Sequence, residues 1–141
     1  MAEVDDPPPP EGFKLSRRNS PLSQHLGPLY YRPGLETGAE QAFLAAEHHT
    51  NQLGIVHGGM LSFFLDGLMV TAVAEKLQRP PATIHLSMDF LSVAKPGLWV
   101  LGEARMTHST ESLAYAEARA WSGERDLARA TAVFKLTRRH L

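Results

Sequence analysis

From Met60 to Leu77 apolar residues run almost without a break, and Asp66 is the only charged residue between Gly58 and Ala74. A run of this length predicts a helix, and a helix apolar on nearly all sides must be wrapped by other structure. Gln78-Arg79-Pro80-Pro81 ends it, because a residue before proline is pushed out of the helical region. Beyond that point the period changes to strict alternation. Ala82 to Val93 places Ile84, Leu86, Met88 and Phe90 on one face, with His85, Ser87 and Asp89 on the other, as expected of a strand with one wet face. Lys95-Pro96-Gly97 is a turn. Leu98 to His108, Ser112 to Ser122 and Leu127 to Thr137 follow as strands, with breaks short enough for hairpins.

Ahead of the helix the signals are local. Ser20 as N-cap and Pro21 at the first helical position predict a short helix that Gly27 stops. Leu29 to Arg32 and Ala39 to Glu47 are expected as a pair of strands between the Pro33-Gly34 and Thr37-Gly38 turn signals. The second run is also compatible with helix, since Ala and Glu favour that state. Residues 1–12, with four consecutive prolines, are expected to be a disordered or polyproline lead-in, leaving 13–141 as a single domain. One long helix followed by four antiparallel strands, with two more before it, is an α+β fold.

Composition narrows the function classes. The 141 residues are 43% hydrophobic, enough for one real core, and the net charge of −1 offers no basic footprint for nucleic acid or a membrane surface. There is no cysteine, hence no disulfide framework and no thiolate for catalysis or zinc, which fits a cytoplasmic protein. The acidic, Pro-rich start lacks the pattern of a signal peptide. The longest apolar run falls short of the roughly 18–20 residues that span a bilayer and carries Asp66 at its middle.

The chemistry concentrates at the helix entrance, Asn51-x-x-Gly54-x-x-His57-Gly58-Gly59, with Asp66 seven residues further on. Adjacent glycines let a ligand approach the backbone, and the first N–H groups of a helix have no internal partner. A carbonyl gaining negative charge at Gly58 would be stabilised by such a donor and by the helix dipole, an effect typically worth about 3 kcal/mol. Asp66 shares a helix stripe with Gly59 and Ser62 but lies about 10 Å along the axis from Gly59. That is a stretched reach within one chain. An antiparallel partner helix would bring a second copy's Asp66 closer, so the spacing predicts a homodimer with shared sites.

These residues resemble the hotdog-fold acyl-CoA thioesterases, in particular the phenylacetyl-CoA thioesterase type. The resemblance covers roughly Gln24 to Leu136 in element order and is sharpest from Asn51 to Asp66, where the Asn, the His-Gly-Gly and the acid stand at the family's spacing. It implies an antiparallel sheet curled round the central helix, dimers paired into tetramers, an acyl-CoA substrate and no cofactor. It also implies that the Gly58 N–H polarises the thioester carbonyl and that Asp66 acts as nucleophile or general base. Asn51 would position the thioester or water, His57 would shape the turn, and Gly59 and Ser62 would line the substrate side. Thr83, on the strand after the helix, stands where related members carry a Ser or Thr that holds the attacking water.

Each residue also has a plainer reading. Asn51 and His57 can be turn residues, Thr83 an ordinary strand threonine, and Phe63 and Phe64 core. His48 and His49 would point apart on a strand, which argues against a metal site. Arg79, Lys95, Arg105, Arg119, Arg125, Arg138 and Arg139 are read as mostly solvated charges, with CoA-phosphate contacts among them left unassigned. Two function classes follow: hydrolysis of acyl-CoA thioesters, and a non-catalytic acyl-CoA-binding module acting as sensor or carrier. The lone acid favours the enzyme, because a pure binder has no need of a carboxylate aimed at the thioester.

Overall fold

The computed structural model describes residues 6–17, 20–33 and 39–138. Seven strands form one antiparallel sheet in the order β1 (Lys14–Leu15), β2 (Tyr30–Tyr31), β3 (Ala39–Leu44), β5 (Trp99–Ser109), β6 (Leu113–Ser122), β7 (Arg125–Leu136) and β4 (Pro81–Phe90). The short helix α1 (Pro21–Leu26) and the long helix α2 (Gly58–Leu77) complete the chain. The strand count exceeds the expected six because Lys14–Leu15 pairs with β2. The second early run is a strand, β3, and a 3-10 turn over Glu47–His49 replaces its expected end. The two early turn signals fall largely on residues 34–38, outside the described residues.

α1 forms for the reason its sequence gives. The Ser20 side chain accepts the Ser23 N–H, and the Ser23 hydroxyl accepts the Ser20 N–H in return. At the other end of the main helix Gln78 takes a left-handed conformation, φ 55°, and its N–H closes on the Ala74 carbonyl before Pro80. Arg79 then fastens the connection by donating to the carbonyls of Thr137 and Glu111, at 2.8 and 2.7 Å.

The sheet face under α2 is built of small residues. Ala104, Ala114, Ala116, Ala118, Ala120, Ala128, Ala130 and Ala132 are all buried there, against Phe64, Leu65, Leu68 and Met69 from the helix. Large side chains from one layer thereby meet small ones from the other, which sets the helix close to the strands. Gly102 marks the closest approach. A methyl group at that position would lie 2.5 Å from Leu68 and 2.6 Å from Phe64.

The expected alternation in β4 breaks at one point. The register with β7 steps from Thr83 opposite Phe134 to His85 opposite Val133, so Ile84 is an extra residue in a β-bulge. Strict alternation puts Ile84 on the apolar face and Thr83 on the wet one. The bulge reverses both: Ile84 is 58% exposed, and Thr83 shares the helix-facing side with Leu86 and Met88. One inserted residue flips the face of everything before it, which no two-residue period can show.

In the lead-in, the Pro7 carbonyl accepts the Trp99 indole N–H and the Pro10 carbonyl accepts the Phe13 N–H, each at 3.1 Å. β4 lies at the sheet's edge, and the side of α2 turned away from the sheet carries half-exposed Ser62, Phe63, Asp66, Gly67, Val70 and Thr71. No helix among the described residues is long and apolar enough to cross a membrane.

Candidate active site

The entrance to α2 is shaped by two side chains acting on their own loop. The Asn51 carboxamide oxygen accepts the N–H groups of Leu53 and Ile55, at 2.9 and 3.5 Å, and folds the loop that Gly54 turns with φ +75°. His57 is the N-cap, its Nδ1 accepting the Gly59 N–H at 2.6 Å. An accepting Nδ1 places the ring proton of the neutral imidazole on Nε2, leaving an outward donor. Ser62 turns its hydroxyl back onto the Gly58 carbonyl, at 2.9 Å. With Gly59 satisfied by His57, the Gly58 N–H is left with no acceptor among the described residues.

A side chain at 58 would crowd its surroundings. A methyl group there would sit 3.1 Å from the tip of the Phe90 ring, which lies directly over the helix entrance. Sequence periodicity assigns Phe90 to the core face. In the folded chain the ring is 54% exposed and forms one wall of the entrance.

Asp66 and Thr83 meet across the gap between α2 and the edge strand: the Thr83 hydroxyl donates to Asp66 Oδ1 at 2.7 Å. Ion pairing distinguishes this acid from Glu40. The buried Glu40 carboxylate takes a salt bridge from Arg32 at 2.7 Å, whereas Asp66 has no cation partner among the described residues.

A third element stiffens the entrance from behind. His49 is buried, its Nδ1 accepting the Ala46 N–H at 3.0 Å and its Nε2 donating to the Leu26 carbonyl at 2.6 Å. Its own carbonyl accepts the His57 N–H, so α1 is tied to the residue before Gly58. Burial pushes the His49 imidazole below its ordinary pKa, opposed by the bond to Leu26 and reinforced by the neighbouring His48. The sequence carries no signal for this role beyond a histidine two residues before Asn51.

Arg139 lies outside the described residues, and most of the other arginines named from the sequence are engaged. Arg105 pairs with Glu117, Arg119 with Glu103 and Asp126, and Arg125 donates to the Val93 carbonyl, while Arg79 holds two carbonyls. Arg105, Arg119 and Arg129 frame a groove of about 490 Å³ on the outer face of the sheet, which includes none of Gly58, Asp66 or Thr83.

An antiparallel sheet packed along one long helix is the architecture of a hotdog-fold thioesterase. The thioesterase superfamily model matches residues 53–129, and the chain belongs to that superfamily. It is 38% identical over 129 residues to a Pseudomonas aeruginosa protein named as a candidate esterase, covering 90% of this chain and 96% of that one. Among solved structures, a Ralstonia eutropha protein named as a candidate thioesterase related to phenylacetic acid degradation is 26% identical with TM-score 0.74, over 83% of this chain and 91% of its own. A Streptococcus pneumoniae protein named as a hypothetical thioesterase and solved with coenzyme A is 17% identical with TM-score 0.74, over 92% and 98% of the two chains.

Proposed function

We propose that the protein hydrolyses acyl-CoA thioesters to the free acid and CoA. The observation that carries this reading is the Asp66 carboxylate, without a counter-ion among the described residues and oriented by the Thr83 hydroxyl. Thioester hydrolysis needs a polarised carbonyl and a carboxylate that attacks or activates water, and thiolate is a good enough leaving group to go without a metal. The free Gly58 N–H supplies the first requirement. Asp66 supplies the other. Because Thr83 spends its proton on Asp66, its oxygen is left to accept one, and a water held between the two groups would be aligned for attack. The incoming water gives one proton to Asp66, its oxygen bonds to the acyl carbon, and the carbon–sulfur bond breaks to release CoA thiolate.

Asn51 serves this site by folding the loop through its side-chain oxygen, with its NH2 group turned to positioning the thioester. Gly59 and Ser62 line the substrate side of the helix. CoA as the carrier is supported by the pneumococcal relative solved with coenzyme A. The edge strand β4 and the half-exposed flank of α2 support a homodimer in which one subunit's Gly58 works with the other's Asp66, and a pair of such dimers as the tetramer. The protein is read as cytoplasmic and free of cofactor.

The test is release of free thiol from a panel of acyl-CoA thioesters by the purified protein. Turnover on at least one member supports hydrolysis; CoA-thioester binding without turnover would favour the sensor or carrier reading.

A further inference from the structure

We propose that His49 is a positioning residue for the Gly58 amide, and that only its neutral imidazole holds that amide in place. The proposal rests on the reading of Gly58 as the carbonyl's donor and deepens it. Between the two residues runs a short loop closed at its base. The His49 carbonyl accepts the His57 N–H at 2.8 Å, Thr50 and Val56 form a β-bridge, and the Ile55 carbonyl accepts the Asn51 N–H at 2.9 Å. His57 is held from its other side as well. Its carbonyl, which belongs to the same planar peptide unit as the Gly58 N–H, accepts the N–H groups of Met60 and Leu61 at 2.9 and 3.3 Å. A displacement of His49 therefore reaches the Gly58 amide through a single residue.

The His49 ring fixes the base of that loop. It is 3% exposed and meets Phe43 edge-on with centroids 5.1 Å apart, and Phe43 meets Phe64 of α2 in the same way at 4.8 Å. Its nitrogens tie two further segments, Nδ1 accepting from Ala46 and Nε2 donating to Leu26 at the end of α1. Only the neutral ring with its proton on Nε2 makes both bonds. A second proton, on Nδ1, would face the Ala46 N–H, so protonation breaks one tie and sets two donors against each other. Around the ring, Phe43, Leu26 and Ala46 carry no charge, and the His48 ring lies 3.9 Å away. His57 stands across the loop base, while Glu47 and His25, the chain neighbours of Ala46 and Leu26, are exposed. Burial opposes the second proton most, the Leu26 bond favours it and His48 opposes it.

Two measurements test this. In acyl-CoA hydrolysis at about pH 8, His49→Phe should lower kcat about tenfold with KM within about twofold, because the amide acts on the transition state. His49→Gln has a carboxamide that donates to Leu26 and takes no proton. It should keep kcat within about threefold of wild type and hold it to lower pH than wild type does. A loss carried by KM, or an acid limb that His49→Gln leaves unchanged, would overturn the proposal. The amide resonances of His57 and Gly58 in nuclear magnetic resonance give a readout that needs no turnover. In wild type they should shift with the same midpoint as the His49 ring, and in His49→Gln that step should be missing. With the step present and no acyl-CoA hydrolysed, the hydrolase reading fails and the positioning role stands. With both amides indifferent to His49, the positioning role fails whatever the turnover.

Discussion

Thr83 Oγ1 donates a hydrogen bond of 2.7 Å to Asp66 Oδ1, joining the middle of the long helix to the first turn of the edge strand. The bond fixes which carboxylate oxygen is engaged and leaves Oδ2 without a hydrogen-bond partner among the described residues. If the bond orients Asp66 for attack, Thr83→Val should lower kcat about tenfold with little change in KM, and Thr83→Ser should restore most of it. Steady-state kinetics with one acyl-CoA decides the matter. A Thr83→Val enzyme with unchanged kcat would show the hydroxyl to be incidental.

The bulge absorbs Ile84 and so leaves Thr83 on the helix-facing side. Deleting Ile84 would remove the bulge while keeping Thr83 opposite Phe134 and His85 opposite Val133, so Thr83 stays on the helix-facing side. The deletion variant should therefore keep its cooperative melt and release thiol within a few-fold of wild type, unlike Thr83→Val. A loss as severe as that of Thr83→Val would show that Thr83 needs the extra residue itself to reach Asp66.

Packing makes a separate prediction at Gly102. A methyl group there collides with Leu68 and Phe64 at 2.5 and 2.6 Å, both fixed in the core. Gly102→Ala should destabilise by about 1–3 kcal/mol, visible as a lower midpoint in denaturant with unchanged slope.

His49 gives the pH dependence of stability its sign. Its folded-state pKa lies below the ordinary 6.5, so the unfolded chain takes up a proton that the native state resists. The contribution is fully present above about pH 6.5 and declines as pH falls below it. Denaturant titrations at pH 7.5 and 5.5 should show a smaller loss for His49→Phe than for wild type, although that variant is less stable at both. An equal loss would show that protonation occurs elsewhere.

Sequence made much of the architecture legible, because the elements that dominate the fold carry strong local signals. The period change at Pro80-Pro81 separates helix from sheet, and Ser20-Pro21 marks α1 within one residue. Local signals fail where an interaction is long-range. Lys14–Leu15 is a strand only because β2 lies beside it, and Ile84 is a bulge only because β7 fixes the register. Within the candidate site, the spacing from Asn51 to Asp66 pointed to the loop and the acid, but not to the hydrogen bonds they make. Nothing in the order of residues says that His57 consumes the Gly59 N–H and so leaves Gly58 free, or that Phe90 stands over that amide rather than in the core.

Sharing of sites between subunits has its own signature. Subunits carrying Asp66→Ala and subunits carrying Gly58→Val should each be inactive alone, and exchange between them should regain about a quarter of wild-type turnover, since half the dimers would hold one intact site of two. No recovery after exchange confirmed by mass spectrometry would place both residues in a single subunit's site.

The most direct measurement is thiol release from an acyl-CoA by wild type and Asp66→Asn, with oligomeric state followed by light scattering. Asn keeps the size of the side chain and an oxygen for Thr83 but cannot attack or take a proton. Hydrolysis through Asp66 predicts a fall of about a thousandfold or more with the assembly unchanged. Turnover within a few-fold of wild type would contradict it.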